Sequence, residues 1–333
     1  MQEQNPFTVA AVQAAPVFMD LEASLEKACD LIADAGRGGA KLVVFPETFL
    51  PAYPEWVWVV PGGNSGLLDE LYAELLENAV TIPSEITERL SQAARQANTH
   101  LVMGLNERNQ EASGASLYNT LLTIDASGRI LGKHRKLVPT AGERLVWARG
   151  DGSTLEVYDT SLGRLGGLIC WENYMPLARQ ALYAWGTQIL AAPTWDRGDL
   201  WVASLRHIAK EGGLYVIGCC QALHVRDIPE RFEFGQLYPE GKEWINTGGS
   251  CIVDPGGTLV AGPLHKEEGI VYAEIDPRRT RKAKRMLDVA GHYARPDVFR
   301  LEVNRGSNPM LRTTGLESEP ERPPLIPGAD EEE

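Results

Sequence analysis

No run of about 18 apolar residues occurs anywhere in the 333-residue chain, so no membrane-spanning helix is expected. The amino terminus, MQEQNPFTV, has no basic segment followed by an apolar stretch, and no secretory signal is expected. Cysteine is scarce. Five residues (Cys29, Cys170, Cys219, Cys220 and Cys251) form an odd, irregularly spaced set, which argues against a disulfide framework. Free thiols in a reducing cytosol are the simplest account, and a cytoplasmic location is expected. Positive charge is in deficit, with 32 Lys and Arg against 45 Asp and Glu and a net charge of −13. Residues 317–333 alone hold seven acids against Arg322. Nucleic acid is therefore not expected as a partner, because phosphate binding needs a basic surface. A neutral or small substrate stays open.

Several signatures of chemistry are also missing. The six histidines (His100, His134, His207, His224, His265 and His292) show no ligand spacing such as HExxH, so no metal site is expected. No GxSxG run marks a serine nucleophile, and neither a GxGxxG run nor a P-loop is present. No linker rich in Gly, Ser or Pro interrupts residues 7–300, and nothing repeats at a fixed period. A single domain over residues 1–304 is expected, followed by a Pro-rich acidic tail at 305–333 that reads as disordered.

What is present alternates short β-rich runs with amphipathic helical stretches. Strands are expected at Thr8–Gln13, Lys41–Phe45 and His100–Gly104, with helices at Leu21–Ala35 and Ser84–Ala97, the latter opening with a capping-box-like Ser84 and Thr87-Glu88. Leu117–Ile124 and Ile130–Leu137 flank the turn sequence Asp125-Ala-Ser-Gly128 and read as a hairpin. Then come strand Leu165–Cys170, helix Leu177–Ala184, strand Ile189–Ala192, helix Trp201–Glu211 and strand Tyr215–Gln221. A second hairpin, Ser250–Val253 with Thr258–Ala261, surrounds Asp254-Pro-Gly-Gly257. Mixed βα units with interspersed hairpins imply an α/β fold with a mixed sheet.

Cys170 stands at the end of the apolar run in RLGGLICWENYMP, where Asn173 and Pro176 look like the start of a helix. A thiol at a strand-to-helix turn lies near unpaired N–H groups and a positive dipole end, both of which favour the thiolate. Alone, it reads more readily as a small buried hydrophobe, the commoner fate of a free cysteine. Glu47 ends the strand run LVVF within KLVVFPETFLPAYP, at the carboxyl end of a strand. Tyr53, Trp56 and Trp58 surround it with apolar bulk that would raise its pKa towards that of a general base, although a loop acid or helix cap is the commoner fate of such a Glu. In KHRKLVPT, strand alternation puts His134 and Lys136 on one face and Lys133 and Arg135 on the other; a solvated basic edge is the default reading for most of them. Glu143, in TAGERLVWARGDGSTL, reads by default as a surface glutamate. As a set they make chemical sense. A carboxylate takes a thiol proton, and a lysine stabilises negative charge developing on a substrate.

FPETF around Glu47, HRKLVPT around Lys136 and CWENYMPLAR after Cys170 together resemble the nitrilase superfamily of carbon–nitrogen hydrolases, in order and with 34 residues between the lysine and the cysteine. The resemblance runs from about residue 8 to residue 304 and takes in ERLVWARGDGSTL, APTWD…RHIAKEGG and GHYARPDVFRLEVN. It implies a four-layer αββα sandwich with mixed sheets. It also implies Glu47 as general base, Lys136 as the cation at the anion site, Cys170 as nucleophile and Glu143 as a second glutamate positioning lysine and substrate. The backbone N–H of Trp171 would complete the anion site. Trp171-Glu172, directly after the cysteine, is similar to nitrilases proper, and the segment containing His292 points the same way.

The implied reaction is hydrolysis of an organic nitrile to a carboxylic acid and ammonia through a thioimidate and a thioester, with no metal or organic cofactor. The implied partners are a small-molecule nitrile and further copies of the chain, as a dimer or a larger assembly of dimers. Tyr53, Trp171 and Trp195 are candidates for the substrate pocket, although core packing is the commoner role of any single aromatic, and the aromatic residues near the site favour an aromatic or arylaliphatic nitrile. Two other readings are an amidase or carbamoylase of the same superfamily and a non-catalytic, oligomer-forming protein on the same fold.

Overall fold

The structure is a computed structural model that describes residues 5–311. Its regular elements begin with β1 (Phe7–Gln13), α1 (Leu21–Arg37), β2 (Ala40–Val44), α2 (Ser65–Glu77), α3 (Glu85–Ala97), β3 (His100–Arg108), β4 (Leu117–Ile124) and β5 (Ile130–Arg135). They continue with β6 (Val157–Thr160), β7 (Gly163–Gly167), α4 (Pro176–Ala184), β8 (Ile189–Thr194), α5 (Asp199–Gly212) and β9 (Tyr215–Cys220). The last are β10 (Ala222–His224), β11 (Trp244–Val253), β12 (Leu259–His265), β13 (Gly269–Ile275) and α6 (Arg278–Lys284).

These strands form two mixed sheets. The first runs β13-β1-β2-β3-β4-β5, with β1, β2 and β3 parallel and the other neighbours antiparallel. The second runs β10-β11-β9-β8-β7-β6, with β12 also paired to β11, and here β7, β8 and β9 are parallel. The sequence of β1, FTVAAVQ, is apolar on both faces because both faces are covered. Val9 and Ala11 join Leu42 and Val44 against Ile189 and Ile217 of the second sheet. Ala10 and Val12 face the other way, towards Leu25 and Ile32 of α1 and Leu90 of α3. On the far side, Leu182 of α4 and Trp201 and Leu205 of α5 cover Leu190 and Val216 of the second sheet. The layers are therefore helix, sheet, sheet, helix, the αββα sandwich that the sequence resemblance implies.

The helix ends follow their capping residues. Asp20 accepts the Ala23 N–H at 2.9 Å at the start of α1, and Ser84 and Thr87 form the capping box of α3. The expected strand at Leu165–Cys170 is shorter. It ends at Gly167, and Cys170–Tyr174 form a 3-10 turn. Helix α4 starts at Pro176, and Asn173 is not its cap. The Asn173 amide instead donates to the carbonyls of Leu168 and Cys170, both at 2.9 Å, because the turning chain buries acceptors that no strand or helix satisfies. Helices α2 and α6 and strands β6, β10 and β13 have no counterpart in the sequence reading.

The expected tail lies outside the described residues from position 312 onward. Within its described part, the Asn308 N–H donates to Asp151 at 2.7 Å.

Strand ends bring the chemistry together. Glu47 follows β2, Lys136 follows β5, Cys170 follows β7 and Trp195 follows β8, all at the carboxyl ends where open α/β sheets place their sites. An aromatic cluster including Phe18, Tyr53, Trp56, Trp147 and Phe234 packs at the same end.

Candidate active site

Glu47 is fully buried, and each of its carboxylate oxygens is occupied. Oε1 accepts from Lys136 Nζ and from the Asn119 amide, both at 2.7 Å, and Oε2 accepts from the Trp195 backbone N–H at 2.7 Å. The segment can turn this sharply after β2 because β3 has a glycine beside it; a Cβ at Gly104 would lie 2.0 Å from the Pro46 carbonyl oxygen. The side-chain amide of Gln221 anchors the Glu47 carbonyl at 2.8 Å. Lys136, 1% exposed, also reaches Glu143 Oε2 at 2.7 Å. Glu143 in turn accepts the Tyr53 hydroxyl at 2.8 Å and the Thr140 N–H at 2.7 Å. One ammonium thus bridges two buried carboxylates.

Cys170 lies in the left-handed region with φ 50°, a conformation that costs a non-glycine residue ~1–3 kcal/mol and that clusters at functional sites. Its thiol is buried and accepts a hydrogen bond from the Thr194 hydroxyl at 3.2 Å. Cys170, Glu143, Tyr53, Trp58, Trp171 and Trp195 are among the residues that line a cavity of about 660 Å³. Tyr53 and Trp195 stack face to face, with ring centroids 4.2 Å apart and an interplanar angle of 1°. Trp171, 49% exposed, is held at the rim by its indole N–H, which donates to Asp196 at 2.8 Å.

The electrostatics follow from burial. Burial raises the Glu47 carboxyl above its usual range; Lys136 opposes that rise and Glu143 adds to it. Burial works against the charge of Lys136, but the carboxylates of Glu47 and Glu143 more than offset it and hold the amine protonated. The Cys170 thiol is pushed up by burial and by the Glu47 charge, with Lys136 only partly compensating. The sequence expectation of a thiolate favoured by a helix dipole is therefore corrected. Burial and the neighbouring carboxylate favour the protonated thiol, and a thiol in that form becomes a nucleophile only when a base removes its proton.

Residues 8–285 match the carbon–nitrogen hydrolase family. The chain is 43% identical to an aliphatic nitrilase of Sinorhizobium fredii (strain HH103), over 90% of this chain and 96% of that one. It is 43% identical to nitrilase 3 of Arabidopsis thaliana, over 89% and 86% of the two chains. The chain belongs to the carbon–nitrogen hydrolase family. The fold agrees. Saccharomyces cerevisiae Nit3, a member of branch 10 of the nitrilase superfamily, superimposes with a TM-score of 0.69 at 23% identity, covering 88% of this chain and 99% of that one.

The fold of the hydrolase brings Glu47, Lys136, Glu143 and Cys170 into one cluster, with Tyr53, Trp171 and Trp195 along its cavity. Two default readings are corrected. Glu143 is buried because its carboxylate is needed by Lys136, Tyr53 and Thr140. The basic run Lys133–Lys136 is not a solvated edge. Lys133 and Arg135 both pair with the buried Glu107, while His134 and Lys136 point to the other side, as strand alternation requires. Trp56 packs on Phe18 and Phe234 and serves the core. Asn119, Thr194 and Gln221 escaped the sequence reading. Asn119 alone carries a signal, as the one side-chain amide in the mostly apolar run LYNTLLTI of β4.

Proposed function

We propose that this hydrolase is a nitrilase that converts organic nitriles to the carboxylic acid and ammonia, with Cys170 as nucleophile. The observation that carries the reading is the Lys136 ammonium, 2.7 Å from Glu47 and 2.7 Å from Glu143, beside a cysteine that opens into an aromatic-walled cavity. Glu47 takes the thiol proton as sulfur bonds to the nitrile carbon, and that proton passes to the nitrile nitrogen, giving a thioimidate. Lys136 offsets the negative charge that develops there, and the Trp171 N–H supplies a second donor. Water adds to the thioimidate, and loss of ammonia leaves a thioester. A second water, deprotonated by Glu47, displaces the sulfur, releases the acid and returns the proton to the thiol. A raised pKa suits Glu47 to this shuttle.

The stacked Tyr53–Trp195 pair and the Trp58 ring in the cavity wall favour an aromatic or arylaliphatic organic group. Exposed Tyr174, Leu177 and Leu200 near α4 and α5 support a homo-oligomer joined through this face. Five unpaired thiols support a cytoplasmic setting.

The test is ammonia release from a panel of aromatic, arylaliphatic and aliphatic nitriles and their amides, with chromatographic identification of the products. Acid formed from nitriles, with the amides turned over more slowly, is expected. Turnover of the amides alone would replace the proposal with the amidase reading.

A further inference from the structure

Glu172 lies two residues beyond the nucleophile, is 1% exposed and stays off the cavity wall. Its Oε2 accepts the Ile169 N–H at 2.7 Å, and its Oε1 accepts the Leu137 N–H at 2.7 Å. Its own N–H returns to the Ile169 carbonyl at 3.0 Å, so the turn carrying Cys170 is closed from both sides. His134 Nε2 lies 3.1 and 3.0 Å from the two carboxylate oxygens. The other ring nitrogen, Nδ1, faces the Thr154 carbonyl at 3.2 Å. A carboxylate and a carbonyl only accept, so both ring nitrogens carry protons and the imidazole is a cation. The charges match. Although burial acts against both ions, the pairing holds the Glu172 carboxyl below its usual range and His134 above its own.

The two N–H groups that this carboxylate binds are not arbitrary. Ile169 immediately precedes Cys170, and Leu137 immediately follows Lys136. We infer that Glu172, braced by His134, is a positioning residue that sets the backbone twist of Cys170 and its placement against Lys136 without touching substrate. Every partner of its side chain is backbone or imidazole, and the Cys170 φ of 50° needs such a restraint. The inference rests on the nitrilase reading for its activity arm only.

The experiment uses full-length Glu172→Gln and Glu172→Asp. Three quantities are read: kcat and KM on a nitrile that the parent protein hydrolyses, the rate of iodoacetamide alkylation at the Cys170 peptide, and active sites titrated by that alkylation. Glutamine offers one acceptor oxygen for two N–H groups, and aspartate is one methylene short. In Glu172→Gln, kcat per titrated site is expected to fall on the order of 10²-fold, the cost of a misplacement of about 1 Å, with KM changed by less than about threefold. Alkylation of Cys170 is expected to change rate by more than about fivefold, and Glu172→Asp, which keeps the charge, to recover part of kcat. A merely structural role would lower the number of titrated sites and leave kcat per site at the parent value, which overturns the inference. If Glu172→Gln does not fold, Glu172→Asp carries the test, and parent kcat there overturns it equally. Failure of the parent protein to hydrolyse any nitrile would defeat the functional reading while the alkylation arm still decides the positioning.

Discussion

The ammonium of Lys136 and the carboxylate of Glu47 meet at 2.7 Å with no more than 1% of either residue exposed to solvent. A buried pair of this kind is weak evidence for stability, since desolvating two ions costs much of what their attraction returns. Its worth lies in chemistry. The lysine opposes the burial that raises the Glu47 carboxyl, and it bridges to Glu143, which lines the cavity.

Replacing Lys136 by methionine leaves Glu47 and Glu143 buried without their shared cation. The expected cost is ~3–5 kcal/mol of stability, read by thermal or denaturant unfolding, because breaking a buried pair strands a charge. The expected fall in kcat is on the order of 10²- to 10³-fold, the value of a preorganised donor at a developing anion. A variant with kcat within tenfold of the parent would remove Lys136 from the mechanism.

Tyr53→Phe deletes the hydrogen bond to Glu143 but keeps the ring that stacks on Trp195. A hydrogen bond to a charged acceptor is worth ~1.5–3 kcal/mol, so kcat is expected to drop about tenfold or more. KM should move little, because the stacked wall persists. Steady-state kinetics separate the two. A change confined to KM would place the hydroxyl in substrate binding.

The resting protonation of Cys170 has a direct readout. Burial and the Glu47 charge push its thiol up from an ordinary 9.0. The thiolate fraction therefore keeps growing above pH 10, where a thiol of ordinary pKa is already roughly nine-tenths ionised. Iodoacetamide alkylation followed by mass spectrometry at the Cys170 peptide is expected to keep accelerating between pH 10 and pH 11, where a thiol of ordinary pKa has levelled off. A plateau below pH 8 would instead indicate a stabilised thiolate.

Glu55 lines the cavity, and burial raises it from 4.5 to about 7, against the hydrogen bond from Tyr238 at 3.1 Å. The folded state thus holds a proton that the unfolded chain has released, and stability falls as pH rises through that window. The effect amounts to roughly 3 kcal/mol at most. Glu55→Gln keeps an acceptor for Tyr238 without the charge. Its melting temperature is expected to rise relative to the parent between pH 5 and pH 8. A difference between the two that does not change with pH would contradict the assignment.

Local signals account for what the sequence made legible. Glu47 and Cys170 each follow an apolar strand run, Lys136 follows the strand of a hairpin, and strand alternation separates His134 and Lys136 from Lys133 and Arg135. The capping box at Ser84 and Thr87 and the 117–135 hairpin are local too. What stayed hidden depends on distant packing. Asn119 meets Glu47 across 72 positions, and Trp195 lends its N–H across 148. Strand β13 closes on β1 from the other end of the chain. At the Cys170 turn the sequence shows a helix start that favours an anion, whereas burial beside a carboxylate, which depends on the fold, acts the other way and is stronger.

The central claim is that Cys170 forms the bond to substrate, and the most direct test is ammonia release by Cys170→Ala on the best nitrile of the panel. With folding verified by an unchanged unfolding transition, the account predicts less than about 10⁻³ of the parent kcat, since removing a nucleophile leaves only binding and electrostatic assistance. Activity within tenfold of the parent would contradict it.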